Sequence, residues 1–333
     1  MKHLFLLIAL LLLSCCGCKS IQTFCFGTKP ATPIPIVFSS TPTLEQVKGE
    51  FNKRYTGIQS LSTSSAVFAA SNVMIPLRSC SIAYEKQRKL RVRGGVTLGM
   101  GTEIDLGSND EEFWFWVKQN VPKELYYAKH SEYANCDVRS IIPIEPEWLI
   151  ETLGIIELKD SDVHEGPTRV DDGNLQITSY LKTPRGTYSR RITFHPQTGA
   201  ILLYAIYAPN GQPFVGAVLS DHEVDPVNGI LHAKKIVITC PDANVTLTIN
   251  MGKVSFNSPG GFSPDAFVKP TYPDYPPIDL CSPEYRQRFG PGQTLSPTLP
   301  TTANYPSATP ANQEQPEIVG TSANSTVYFR ANR

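Results

Sequence analysis

The sequence predicts a mainly β protein of the α+β class, in which one long antiparallel sheet curls into a barrel around short helices. Strands in the second half alternate apolar and polar residues, as in "VTLTIN", so one face of the sheet is buried. Dipeptides such as Asp172-Gly173 and Asn210-Gly211 separate these strands and supply the positive φ of tight turns. A sheet with one apolar face needs a cover, and two segments have helical periodicity.

The two helical segments lie before the strands and midway among them. In "TLEQVKGEFNKRYTG" Val47 and Phe51 share one face, and Thr43 with Gln46 forms a capping box. In "EPEWLIETLG", residues 145–154, proline stands in the first turn and glycine at the end. We therefore expect one amphipathic helix at the start of the domain and one short helix within it.

The folded part is predicted to be one domain, residues 43–281, because single β domains often run past about 200 residues. Residues 282–333 are polar and rich in proline and threonine, which predicts a disordered tail. The 333-residue chain has a formal net charge of zero, so it lacks the basic excess typical of a nucleic-acid partner, and none is predicted. The sequence does not fix the oligomeric state.

The N-terminus has the pattern of a bacterial lipoprotein signal. A lysine and a histidine precede "LFLLIALLLL", which is too short to span a bilayer but suits a signal peptide. The next residues, "LLSC", resemble a lipobox, in which the cysteine thiol receives a diacylglyceryl group and the new amine is acylated, for instance with palmitate. Cys15 is the first candidate for the anchor and Cys18 the alternative, while an ordinary secretory signal is the competing interpretation. This predicts a signal peptide over residues 1–14 and a lipidated tether over residues 15–42.

Four cysteines in the body of the chain leave their pairing open. Cys80, Cys136, Cys240 and Cys281 could be oxidised in an exported protein, and four cysteines allow three pairings. Buried free thiols fit the sequence equally well. The N-terminal cysteines lack the paired C-x-x-C spacing of a zinc site, so neither a metal nor another cofactor is predicted.

The stretch "EFWFWV" does not alternate as a half-exposed strand should. Phe113, Trp114, Phe115 and Trp116 follow one another, so both faces of this strand need a cover. The sequence leaves open which pair faces inward. It also leaves open whether the four rings fill a closed core or line a cavity.

The order of these segments resembles a known family. A start helix followed by "IAYEKQRKLRVRG", "IDLGSNDEEFWFWV" and "KELYYAKH" is similar to the LolA/LolB-type lipoprotein carriers and their sorting-domain relatives, in the lipid-anchored form found in planctomycete-type genomes. The match covers roughly residues 44–155, and the later sheet fits the same fold to about residue 270. The resemblance implies a LolA-like, unclosed antiparallel β-barrel with an apolar concave face and short lid helices.

The resemblance also implies functional residues. Lys86 stands where carriers often have an arginine that latches the lid, and Gln87 stands where they have a proline. These departures put the carriers' latch-and-release mechanism in question for this chain. The predicted lining of an acyl-binding cavity comprises Leu90, Val92, Ile104, Leu106, Phe113, Trp114, Phe115, Trp116, Leu125 and Tyr127.

Catalytic patterns are missing from the sequence. There is neither a Gly-x-Ser-x-Gly elbow nor a His-Glu-x-x-His helix. Asp221, His222 and Glu223 are interpreted as part of a solvated hairpin loop, as are His164 and Glu165. The chain is therefore predicted not to be an enzyme; catalysis by the acidic loops is the least favoured hypothesis.

The predicted function is acyl-chain or lipoprotein binding in lipid or lipoprotein trafficking. The expected partners are membrane lipid, through the N-terminal acyl anchor, and a lipid or lipoprotein cargo. The expected location is the outer membrane, facing the periplasm, because the residue after the anchor (Cys16 or Lys19) is not aspartate. The alternative is a protein-binding envelope sensor or structural lipoprotein on the same fold, without lipid cargo.

Overall fold

One sheet of 15 strands is the framework of the protein. The computed structural model describes residues 32–71, 76–96, 101–119, 122–133, 135–136 and 145–288. The predicted signal peptide, both anchor candidates (Cys15 and Cys18) and most of the predicted tail lie outside these residues. In chain order the strands are β1 (Ser60–Ala70), β2 (Leu77–Glu85), β3 (Lys89–Gly95), β4 (Ile104–Ser108), β5 (Glu112–Val117), β6 (Leu125–Lys129), β7 (Val163–Arg169), β8 (Leu175–Thr183), β9 (Gly186–Phe194), β10 (Ile201–Tyr207), β11 (Pro213–Val224), β12 (Leu231–Cys240), β13 (Val245–Asn250), β14 (Ser255–Phe256) and β15 (Pro277–Asp279).

The sheet is antiparallel and unclosed, as predicted. Its order is β15-β6-β5-β4-β3-β2-β1-β13-β12-β11-β10-β9-β8-β7, and β15 and β7 stand at opposite ends without pairing. The two halves of the chain meet where β1 pairs with β13, with Phe68 opposite Ile249. Within the described sheet one strand pairs in parallel: β15, whose three residues pair with β6.

Four α-helices occur in the described residues: α1 (Leu44–Gly57), α2 (His130–Tyr133), α3 (Pro146–Thr152) and α4 (Pro283–Arg288). The capping box of α1 is present, since Thr43 N donates to Gln46 Oε1 at 2.8 Å and Gln46 N donates to Thr43 Oγ1 at 3.3 Å. Both helices expected from the sequence, α1 and α3, are thereby confirmed. No helix in this part of the chain is long and apolar enough to cross a membrane.

The main core lies between one face of the sheet and two helices. Val47 and Phe51 of α1 and Trp148 of α3 belong to the same buried cluster as Leu90 of β3 and Ile236 of β12. We call this face of the sheet the inner face, and we call α1 and α3 together the helical cover. The opposite face is the outer face.

The packed chain extends beyond the predicted limits of 43–281. Phe38 is buried, with its ring centroid 6.4 Å from that of Phe194. At the other end, Tyr285 of α4 is buried in a small cluster with Tyr126. Sequence reasoning placed these segments in a tether and a tail because both are short and rich in proline, but each contributes an aromatic anchor.

Two polar stretches expected in loops lie in strands instead. His164 and Glu165 belong to β7, and the stretch from Asp221 to Val224 ends β11. Charged residues are tolerated in β7 because it is the end strand of the sheet, and its residues are mostly exposed. The loop interpretation of both stretches was therefore wrong.

Candidate functional site

The pleat of the sheet divides the ten predicted lining residues between its two faces. Residues paired directly across antiparallel strands share a face. Leu90 pairs with Ser108, which pairs with Phe113, and Val92 pairs with Leu106, which pairs with Phe115. The inner set is therefore Leu90, Val92, Ile104, Leu106, Phe113 and Phe115.

The remaining four residues, Trp114, Trp116, Leu125 and Tyr127, form the outer set. Trp114 pairs with Tyr127, and Trp114, Trp116 and Leu125 form a separate buried cluster against which Tyr127 packs. One concavity cannot be lined by both sets, because successive side chains of a strand point to opposite faces. The open question in "EFWFWV" is resolved: the phenylalanines face inward and the two tryptophans of this strand face outward.

The helical cover lies along the inner face of β9. The Phe51 ring of α1 packs edge-on against Phe194, at 5.4 Å between centroids. The Trp148 ring of α3 lies 5.2 Å from that of Tyr188, and Phe214 packs beside both. Tyr188 and Phe194 are about 20 Å apart along the strand, so α1 and α3 cover opposite ends of one track, which is apolar except for Arg190 between them.

A cavity of about 30 Å³ remains between the end of α1, the residues after α3, and strands β10 to β12. Ile58, Leu61, Leu153 and Leu219 line it, together with His222 and His232. This volume holds about one or two water molecules. An acyl chain can enter this cavity only if part of the helical cover moves.

A buried ion pair holds α3 on the inner face. Arg190 of β9, whose side chain is 2% exposed, lies 2.5 Å from Glu151 of α3 through Nη1 and Oε1. The Tyr204 hydroxyl donates to Glu151 Oε2 at 2.6 Å, and Arg190 Nη2 donates to the Glu157 carbonyl at 3.1 Å. Burial raises the pKa of the Glu151 carboxyl, although Arg190 and Tyr204 act in the opposite direction. Loss of one partner would leave a buried charge uncompensated, so this contact resists opening.

Polar contacts at the rim hold α1. Asn52 exchanges hydrogen bonds with the main chain of Leu158, at 3.0 and 2.8 Å. Arg54 donates to the carbonyls of Thr198 and Gly199, each at 2.7 Å. These contacts are only partly buried, and exposed polar contacts contribute little stability. Within the helical cover, the polar contacts of α1 are therefore less deeply buried than the Arg190–Glu151 pair of α3, while Val47 and Phe51 supply its apolar contacts.

Lys86, the predicted lid latch, contacts the last turn of α1. Its ammonium lies 5.2 Å from the centroid of the Tyr55 ring, and Nζ donates to the Thr56 carbonyl at 3.4 Å. The position suits a latch, and the role itself stays a prediction. Sequence reasoning missed Arg190 and Glu151, because they are 39 positions apart in the chain and nothing local marks them as a pair.

Near β3 to β6 the outer face is covered by residues 264–281, which begin with a 3-10 turn and which we call the strap. Its Tyr272 ring stacks on Trp116 at 3.9 Å between centroids, with an interplanar angle of 14°. The Lys269 ammonium lies 3.4 Å from the centroid of the Tyr127 ring and 2.7 Å from Glu112 Oε2.

A buried carboxylate connects the strap to the outer face. Asp105 is fully buried and accepts two hydrogen bonds from Arg91, at 2.9 and 2.6 Å. Trp114 Nε1 donates to Asp105 at 3.3 Å and the Tyr272 hydroxyl at 2.6 Å. The Trp114 ring fits because Gly107 has no side chain: a Cβ there would lie 2.1 Å from Cζ2 of the indole. The outward-facing aromatic residues therefore form part of a buried layer whose side chains are joined by hydrogen bonds.

The side chains at the end of β11 contact the main chain and one another. His222 Nε2 lies 2.9 Å from the Ile201 carbonyl, and His232 Nε2 lies 3.3 Å from Glu223 Oε1. Burial lowers the pKa of both imidazoles. Across the described ranges, no group of three or more His, Cys, Asp or Glu side chains could hold a metal ion.

The strand order and the helical cover define a class of protein: an unclosed antiparallel barrel with short lid helices, as the sequence resemblance predicted. No family model matches the chain, and no curated protein is significantly similar to it.

Three solved structures of low sequence identity are similar to the chain. A domain of a putative outer membrane lipoprotein-sorting protein from Vibrio parahaemolyticus aligns with a TM-score of 0.46 at 9% identity, over 66% of this chain and 94% of that one. A DUF1329 family protein from Desulfovibrio piger gives 0.44 at 14% identity, over 66% and 94%. A LolA superfamily protein from Nitrosomonas europaea gives 0.41 at 7% identity, over 67% and 97%.

Proposed function

We propose that this chain is a lipid-anchored binding protein of the bacterial envelope, which takes acyl chains of a lipid or lipoprotein onto its inner face. The observation that supports this most strongly is the nature of the cover: the apolar track along β9 lies under two short helices, of 14 and 7 residues. Displacing α1, which has no buried ion pair like that of α3 among its described contacts, would expose the Phe194 end of the track while α3 stays in place.

The energetics favour an acyl ligand. Burying an acyl chain contributes about 0.8 kcal/mol per methylene, so a long chain can replace the contacts that Val47 and Phe51 give up. Such binding needs no catalytic group, which agrees with a carrier or receptor rather than an enzyme. The inner set of predicted lining residues lies on this same face, with Leu90, Val92, Ile104 and Leu106 in the core under the helical cover and Phe113 and Phe115 in the separate cluster of Tyr133 and Tyr285.

The anchor and the location complete the proposal. Acylation at Cys15, or at Cys18, would hold the protein at the outer membrane facing the periplasm, since a lipoprotein cysteine with several chains binds a membrane stably. The Cys15→Ser variant should move to the soluble periplasmic fraction unless Cys18 is the anchor. If the Cys15→Ser/Cys18→Ser double variant stays membrane-bound and no lipid is found on the wild type, the lipoprotein hypothesis is wrong.

The binding site is tested with the full-length double variant, delipidated and titrated with a fluorescent fatty acid. We expect saturable binding, with energy transfer from Trp148, which lies at the α3 end of the track. The Trp148→Phe variant should lose this transfer and keep its affinity. Trp116→Phe is the matched control and should keep both, because Trp116 lies on the outer face under the strap.

A second pair of variants tests the opening of α1. Phe51→Ala removes apolar contact from α1 and should raise the affinity for the fatty acid. Lys53→Ala, an exposed position on the same helix, should leave it unchanged. If no saturable binding occurs and no lipid copurifies with the wild type, the acyl-binding proposal fails and a protein-binding role on the same fold takes its place.

A further inference from the structure

Two of the four cysteines in the body of the chain lie side by side. Cys136 and Cys281 are both buried in the cluster of Phe113, Tyr126 and Tyr285, and burial together with the neighbouring Cys136 thiol raises the pKa of the Cys281 thiol. Cys136 Sγ also donates to the Leu280 carbonyl at 3.6 Å. All four body cysteines are free thiols in this structure.

The sheet separates the other two cysteines. Cys80 is in β2 and Cys240 in β12, and β1 and β13 lie between these strands. Three inter-strand steps amount to about 14 Å, whereas the Cα atoms of a disulfide are about 4.4–6.8 Å apart. Of the three pairings that the sequence allows, one joins Cys136 to Cys281, and its second bond, Cys80–Cys240, does not fit the fold. Cys80 and Cys240 belong to the main core cluster, apart from that of Cys136 and Cys281, and are expected to remain thiols.

Because of where Cys136 and Cys281 lie, a disulfide between them would hold two parts of the structure together. Cys281 ends the strap, just after β15, which is held to β6 by only three paired residues. Cys136 follows α2, and the Arg185 guanidinium from the β8–β9 turn donates to its carbonyl. A bond between the two cysteines would join positions 136 and 281 and secure both the strap and the β15 end of the sheet.

We propose that Cys136 and Cys281 form a disulfide that fastens the strap when the chain folds in an oxidising compartment. The two thiols each lose a proton and together give two electrons to a protein or glutathione disulfide, which is reduced to two thiols as the new S–S bond forms. The reacting species is the thiolate, and burial raises the pKa of the Cys281 thiol. Oxidation therefore belongs to the folding stage, before the cluster closes.

The test uses the full chain, denatured and reduced, then refolded in a buffer of reduced and oxidised glutathione. Free thiols are alkylated under denaturing conditions and the peptides are mapped by mass spectrometry. We expect the Cys136 peptide linked to the Cys281 peptide, with Cys80 and Cys240 alkylated. Alkylation of both Cys136 and Cys281, or a link from either to another cysteine, overturns the proposal. Because refolding is done in vitro, the result does not depend on export, on the anchor or on lipid binding.

Matched variants measure how much the disulfide stabilises the protein. A reductant should lower the melting temperature of the oxidised wild type by several degrees, and it should leave the Cys281→Ser variant unaffected. Cys240→Ser is the control and should respond to reductant as the wild type does. If Cys281→Ser does not fold, the peptide map of the wild type still decides whether the bond forms. An equal melting temperature with and without reductant in the wild type would refute the fastening role.

Discussion

The inner face under α1 and the outer face around β5 are covered in different ways. The inner face meets helices, and α1 is attached to it by partly exposed hydrogen bonds at the rim. The outer face meets the strap, whose Tyr272 joins a buried network with Asp105, Arg91 and Trp114. One cover combines apolar contacts with partly exposed hydrogen bonds, and the other includes a buried hydrogen-bond network. The proposal that a ligand binds the inner face rests on this difference.

The largest expected effect comes from breaking the outer network. Asp105→Ala leaves the Arg91 guanidinium, only 11% exposed, without its carboxylate, and loss of one partner of a buried pair costs about 3–5 kcal/mol. Urea unfolding followed by circular dichroism measures this. Glu103→Ala, which breaks the more exposed Lys118 pair next to β4, is the control and should cost about 0–1 kcal/mol. Similar losses in both variants would show that the strap is not held by Asp105.

A smaller effect is expected from one methyl group added to β4 or to α1. Gly107→Ala places a Cβ against the Trp114 indole and should destabilise the protein by about 1–3 kcal/mol. Gly49→Ala makes the same change on α1, where nothing lies within 4 Å, and should stabilise the helix by about 0.5–1 kcal/mol. Thermal unfolding compares the melting temperatures of the two variants, one at a packed position and one at an open position. Opposite signs are expected, and a neutral Gly107→Ala would mean that the indole can move aside.

The smallest effect concerns pH and the inner cavity. Burial lowers the folded-state pKa of His222 and His232 below the ordinary value of 6.5. The unfolded chain then binds more protons as the pH falls, so stability present above about pH 6.5 is lost as the pH drops through the folded pKa values. The urea midpoint of the wild type should be lower at about pH 5.5 than at about pH 7.5, and this difference should be smaller for His222→Gln/His232→Gln. An unchanged drop in the double variant would assign the pH dependence to other groups.

The sequence by itself determined the local features of this protein. The period of α1, its capping box and the alternation of β8 and β13 are set by residues a few positions apart, so they could be recognised without the fold. The short α3 was predictable for the same reason. The LolA-like resemblance gave the unclosed sheet and the place of Lys86 near a lid helix.

Only the tertiary structure decided which face of "EFWFWV" is inward and what covers the other. Both faces of that strand are apolar, so a period of two residues cannot distinguish them. The answer depends on Tyr272, which lies 167 positions from its partner Asp105. The adjacency of Cys136 and Cys281 and the pairing of Arg190 with Glu151 likewise arise from distant segments. Such contacts depend on how the sheet brings its ends together, and no local pattern in the chain encodes that arrangement.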